Sequence, residues 1–375
     1  SSNLTTNINF EMNYWAASAC NLRECLQPFY NAAREIAERG ALTAKTNFGM
    51  AGSCCNHNVD IWRTTSPVKG DPQYMYSPLC GAWIACEAYR HGKASGDDLS
   101  DVIEKSALFI LDYLTPDNGV LTVIPSVSPE TRFACGGGTS SVGTGSAFEL
   151  SVARQTLEYC VECTRNGQLK SRAEAALAML APLEKDEIGL SEWHGGRDSV
   201  EKGHRHFSPL IGVYPFEIIA RGDREFGWAH ELFLYRLKNS TPGIGWSAAW
   251  AMCLAGRFRD KKAAERALLG FTSKSLLPNF FGFHPPVYFQ IDGNLGFVAG
   301  INETLVTCDR GVLTLLPALP GAISSGEAEG LYAGGAVLDF RWRDGKIVYL
   351  KADKKVRVSG ENFAQGAELE NAEIV

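Results

Sequence analysis

The chain has 375 residues, enough for one large domain or two moderate ones with a substantial core. Its 36 basic and 42 acidic residues leave a net charge of −6 with no Lys- or Arg-rich block, which argues against nucleic acid and anionic membrane as partners. No apolar run approaches the roughly 18–20 residues of a membrane span, and the start at Ser1 shows neither an initiator Met nor a signal-peptide h-region, so the chain reads as processed or as part of a longer one.

The opening stretch TTNINFEMNYW crowds Asn7, Asn9, Asn13 and Glu11 against Tyr14 and Trp15. Read locally it is a helix entry, with Asn7 or Asn9 as N-cap ahead of a helix over 11–39 that Gly40 stops. A helix over 79–91 follows, with Leu79, Trp83, Cys86 and Tyr89 at three-to-four spacing, then one over 98–114 with an acidic first turn. Further helices are predicted at 146–162, 168–184, 224–237, 246–257, 260–270 and 294–308. After residue 310 the pattern alternates, with Leu338, Phe340 and Trp342 on one face, Asp339, Arg341 and Arg343 on the other, and a turn at Asp344–Gly345. The expected architecture is mainly α, an (α/α)6 barrel or toroid over residues 1–310, followed by a small C-terminal β-sheet domain over 311–375.

Eleven cysteines, an odd number, lie mostly in helix-like segments, where a thiol behaves as a small apolar group, so a disulfide framework is not expected. The Cys160–Cys163 spacing sits inside a helix and lacks a second such pair or paired histidines; no metal and no cofactor are expected.

Long loops at 41–78, 116–145, 186–215 and 272–293 carry much of the polar chemistry, and their aromatic content argues against disorder. Asn56, His57, Asn58, Asp60, Trp62 and Arg63 fall within eight residues, a mixture that suits sugar hydroxyls and a sugar C–H face, or else a turn with a buried Asp60–Arg63 pair. In LTVIPSVSPE, Glu130 follows the rigid Pro129; partial burial there would raise its pKa and keep it protonated as a general acid. His204 and His206 stand two apart around Arg205, a spacing unsuited to a helical zinc pair and better suited to ligand hydrogen bonding. His284 precedes a double proline, and Asp292 opens a helix, as its cap or as a residue orienting a polar partner.

The segments NINFEMNYW, NHNVDIWR, CGAW, PSVSPE, GHRHFS, GWSAAW, NFFGFHPPVYFQIDGNLG and LLPALP occur in an order that resembles glycoside hydrolase family 95, the inverting α-L-fucosidases and related α-L-galactosidases, over about residues 6–335. The resemblance implies exo-hydrolysis of terminal α-linked L-fucose or L-galactose from a fucosylated glycan, with inversion. It implies that Asn7 and Asn9 hold the attacking water, that Asp292 polarises an Asn so that its amide oxygen serves as base, and that a Glu donates the proton. Glu130 is preferred for its loop position, and Glu149 in SAFELSV is the second candidate. The acid would face the amides across the sugar at the roughly 6.5–9.5 Å that inversion requires. Trp62, Trp83, Trp246 and Trp250 would offer stacking faces, and His57, Asn58, His204, His206 and His284 hydrogen bonds to hydroxyls. The sequence departs from the family pattern at Pro209, where a histidine is usual, at an extra Val287–Tyr288, and in lacking the large N-terminal β domain and opening barrel segment ahead of the NIN motif, so the barrel is expected to be incomplete at its start. An extracellular or periplasmic setting follows from the resemblance, a cytoplasmic one from the free thiols. Two other readings stand beside this one, a disaccharide phosphorylase of the same barrel type and a non-catalytic sugar-binding fragment.

Overall fold

The structure, a computed structural model, describes residues 3–241, 243–286 and 288–375; Val287 of the extra dipeptide lies outside them. The long helices are α1 (Gln27–Thr43), α2 (Cys80–Ser95), α3 (Ser100–Tyr113), α4 (Ala147–Cys163), α5 (Gly167–Met179), α6 (Arg224–Asn239), α7 (Gly245–Phe258), α8 (Lys261–Lys274) and α9 (Ile291–Leu305). Six strands follow, β1 (Val306–Asp309), β2 (Val312–Leu315), β3 (Gly326–Ala333), β4 (Ala336–Arg343), β5 (Lys346–Val358) and β6 (Phe363–Ile374). None of the described helices is long and apolar enough to cross a membrane. The chain forms two compact units, one of residues 1–11, 27–219 and 223–235, the other of residues 12–26, 220–222 and 236–375.

In the first unit α1 turns Phe29, Tyr30, Ala33, Ile36 and Ala37 inward, the spacing of one helix face. Serine and asparagine caps start α4 and α5: Ser146 Oγ accepts the Glu149 N–H at 3.1 Å, and Asn166 Oδ1 accepts from Gln168 and Leu169 at 3.1 Å. Two predictions fail here. The helix over 11–39 is interrupted: short turns at Asn9–Met12, Trp15–Ala19 and Arg23–Leu26 precede α1, and Asn21 at φ +56° lies between the second and third of them. Gly40 does not stop α1 but lies inside it, because a Cβ there would fall 2.2 Å from Ser53 Oγ and 2.5 Å from the Cys54 carbonyl. The helical run continues through Ala44–Phe48 and is closed by Gly49 at φ +68°.

In the second unit α7 and α9 pack at close range through small residues. A Cβ on Gly293 would meet Gly245 at 2.9 Å, and one on Gly300 would meet Met252 Cβ at 2.8 Å. The sheet has order β3-β4-β5-β2-β1, with β6 pairing parallel to β5. As the alternation predicts, Leu338, Phe340 and Trp342 are buried with Ile347, Leu350 and Val358, while Arg341 and Arg343 face solvent. The sheet begins earlier than expected because α9 ends at Leu305 and β1 starts at Val306.

Candidate active site

The first unit brings six of the predicted residues together. Leu4–Thr5 pairs with Asn58–Val59 as a two-stranded ribbon, which sets Asn7 beside His57. The Asn7 amide nitrogen lies 2.6 Å from His57 Nε2 and donates to Glu130 Oε1 at 3.1 Å. The Asn7 Oδ1 has no hydrogen-bond partner among the described residues, so Asn7 caps no helix and it is its amide nitrogen that serves the carboxylate. His57 Nε2 is 3.3 Å from Glu130 Oε1, and Asn58 Nδ2 lies 2.7 Å from the opposite ring nitrogen, fixing the plane of the imidazole. From the other side Arg205 forms a short charge-assisted hydrogen bond to Glu130 Oε2, and His206 Nε2 stands 3.5 Å from the same oxygen. His204 stacks on His206 with ring centroids 5.0 Å apart, and Arg205 Nη1 is 3.1 Å from its Nε2.

Glu130 itself sits at φ +58°, a left-handed backbone that a Glu rarely adopts, with its N–H donated to the Gln73 carbonyl at 3.3 Å. Such strain is found where the surroundings dictate a side chain's direction. The electrostatics run against the sequence expectation. Burial does push the Glu130 carboxyl up, but His206, His57 and Arg205 together outweigh it and hold the group well below the usual carboxylate range. Nor are acid and amide held 6.5–9.5 Å apart: an ionised carboxylate takes the Asn7 N–H directly. Asn9 belongs to the same unit, at the first position of Asn9–Met12.

Glu149 differs from Glu130 in place and in the direction of its shift. It is wholly buried in the first turn of α4, accepts from Ser126 Oγ at 2.6 Å and from the Val127 N–H at 3.1 Å, and burial pushes it up to about 8. The folded chain thus keeps a proton that the unfolded chain loses near 4.5. The stability this lends is fully present below 4.5 and is lost as the pH rises toward 8. We expect Glu149→Gln, which cannot titrate, to gain stability relative to the parent by about 1.4 kcal/mol per pH unit across that window. Urea midpoints at pH 5 and pH 8 check this, and parallel shifts in the two proteins would show that Glu149 ionises normally.

Two of the predicted aromatic faces are closed off. Trp83 is fully buried, donating to Glu87 Oε1 at 3.2 Å and packing edge-on to Phe148; Trp250 is fully buried and meets Trp15 edge-on at 6.0 Å in the second unit. Neither offers a face to a sugar, because both lie on the inward faces of helices. Trp246 is also buried, in the first turn of α7, whereas Trp62 is 75% exposed. The Asp60–Arg63 pair does not form: Asp60 accepts from the Trp62 and Thr64 N–H groups at 2.9 Å, and Arg63 pairs with Glu35 at 2.8 Å. In the second unit His284 Nδ1 meets the Pro285 carbonyl at 2.7 Å. Asp292 is buried in the first turn of α9 and accepts the Gly293 N–H at 2.7 Å, while Gln290 occupies the cap position. Cys160 and Cys163 are free thiols that burial pushes up to about 11 and about 12.

Three groups went unrecognised in the sequence. Arg205 was visible between two histidines, but its partner lies 75 residues away. Glu192 is buried and takes a short hydrogen bond from Ser128. Glu11 is fully buried, with neither carboxyl oxygen hydrogen-bonded among the described residues, and burial, with the Glu87 charge adding, raises it well above the usual carboxylate range.

The geometry has relatives. The glycosyl hydrolase family 95 catalytic domain matches residues 1–305, and the glycoside hydrolase family 95 C-terminal domain matches residues 308–369. "Alpha-L-fucosidase 2" of Arabidopsis thaliana is 32% identical over 91% of this chain and 43% of its own length. "Probable alpha-fucosidase A" of Aspergillus niger is 26% identical over 94% of this chain and 49% of its own. The chain thus spans less than half the length of these curated relatives. A solved structure titled "Putative kojibiose phosphorylase from human microbiome" shares the fold at TM-score 0.58 and 10% identity, covering 93% of this chain and 58% of that one. With both of its family domains matched in order along the sequence, this chain belongs to glycoside hydrolase family 95.

Proposed function

We propose that the chain carries the catalytic machinery of an inverting exo-glycosidase that releases terminal α-linked L-fucose, or L-galactose, from a glycan. The observation that supports this most is the cluster of Asn7, His57, Arg205 and His206 on the partly buried Glu130 carboxylate, within a chain of family 95 whose relatives are named as α-fucosidases. The helices of residues 1–310 form, in this reading, an (α/α)6 catalytic barrel, and residues 311–375 a separate β domain.

Glu130 is the general acid. Its charge is held by His206, His57 and Arg205. A sugar entering the cluster offers hydroxyls to these donors, draws them from the carboxylate and excludes water, so that burial then favours the protonated form that the leaving oxygen needs. Asn7 and Asn9 hold the water, and Asp292 serves the reaction through its charge, since a neutral amide alone has almost no proton affinity near neutral pH. His57, Asn58, His204 and His206 serve the sugar hydroxyls, with Trp62 as the exposed aromatic face of the same unit.

Aryl and 2'-fucosyl glycosides incubated with and without inorganic phosphate test the reading. Release of free sugar at the same rate in both supports it. A sugar phosphate formed only with phosphate would identify a phosphorylase, and binding without turnover a non-catalytic sugar-binding chain; either result overturns the proposal.

A further inference from the structure

Two buried carboxyl groups lie behind the acid without touching it. Glu149 Oε2 accepts both the Ser126 hydroxyl, at 2.6 Å, and the Val127 N–H, at 3.1 Å. Ser146 completes the grip: its hydroxyl donates to the Val127 carbonyl at 2.7 Å and its N–H to Ser126 Oγ at 2.9 Å. Two residues further on, the Ser128 hydroxyl is held by Glu192, whose own carbonyl accepts the Ala147 N–H at 3.0 Å, so that this second carboxylate is fixed to the start of α4. Ser126, Ser128, Ser146, Glu149 and Glu192 are all buried. After this clamped stretch come Pro129 and then Glu130 in its left-handed backbone.

Burying a carboxyl group is costly, and an apolar residue in its place would fill a core more cheaply. Two such groups on two serines of one five-residue segment therefore call for a role other than packing. We propose that Glu149 and Glu192 are positioning residues: they lock Ser126–Ser128 and thereby aim the Glu130 carboxylate at the glycosidic oxygen. The inference rests on reading Glu130 as the acid. In this proposal Glu149 contributes through its Oε2, which holds the Ser126 hydroxyl and the Val127 peptide, and not as the proton donor.

Glu149→Leu and Glu192→Leu remove the acceptors, whereas Glu149→Gln and Glu192→Gln keep one. Each variant is assayed on a fucosylated oligosaccharide, whose leaving group needs a proton, and on fucosyl fluoride, whose leaving group needs little help. A displaced acid costs about 10²-fold in kcat on the oligosaccharide, by the usual penalty for misplacement of a reacting group. The Leu variants should show that loss with KM unchanged and a much smaller loss on the fluoride, and the Gln variants should recover most of the rate. Equal losses on both substrates would mean general damage to the fold and overturn the proposal. So would a leaving-group-selective loss in Glu149→Gln, which would make Glu149 the acid. Should the Leu variants not fold, Ser126→Ala combined with Ser128→Ala removes both serine hydroxyl hydrogen bonds from the other side, leaving only that of the Val127 N–H, and must give a selective loss of the same kind. Glu130→Gln, run in parallel, separates the failures: if it lacks selectivity the reading of Glu130 falls, and if it alone is selective the positioning role falls.

Discussion

Glu130→Gln is expected to lower kcat on a fucosylated oligosaccharide by about 10²–10⁴-fold, the range that a positioned general acid contributes. Fucosyl fluoride or a nitrophenyl fucoside should suffer far less, because a good leaving group departs without a proton. The Gln side chain retains an oxygen for His57 and Asn7 but loses the charge that Arg205 and His206 hold, so the fold around residue 130 should survive. Circular dichroism and a melting curve close to those of the parent would confirm that the loss is chemical. A variant equally impaired on both classes of substrate would remove Glu130 from proton donation.

The second large effect lies on the opposite side of the reaction. Asn9→Ala and Asp292→Ala should each abolish most turnover, since a neutral amide is a feeble base that needs a carboxylate's charge to assist it. Asp292 also accepts the Gly293 N–H at the start of α9, so its loss could act through the helix alone. Asp292→Asn separates the two roles, because it keeps the acceptor and removes the charge. We expect Asp292→Asn to melt like the parent and to be nearly inactive. An active Asp292→Asn would remove the Asp292 charge from the reaction.

What the sequence disclosed followed from periodicity and local chemistry. The three-to-four spacing of Leu79, Trp83 and Cys86 placed α2 correctly, and the alternation around Phe340 with the Asp344–Gly345 turn placed β4 and β5. The same spacing already implied that Trp83 belongs to a core face, yet its place in a family motif drew it toward the sugar; burial shows that periodicity was the better guide. Gly40 misled because a stop and a close approach use the same residue, and only the position of Ser53 and Cys54 distinguishes them. The direction of the Glu130 shift was not legible either. It is set by His57, Arg205 and His206, 73 to 76 positions away in the chain, whose approach no local pattern announces. Glu149 was visible as a helix residue and Glu192 not at all, since a buried carboxyl bonded to a serine leaves no trace in spacing.

The central claim, an inverting hydrolysis of a terminal α-L-fucoside, is tested most directly by following the anomeric proton of the released sugar by NMR during the first minutes of reaction with a 2'-fucosyl oligosaccharide in phosphate-free buffer. The account predicts that β-L-fucose appears first and then mutarotates to the equilibrium mixture. First appearance of the α-anomer, or no release until phosphate is added, would contradict it.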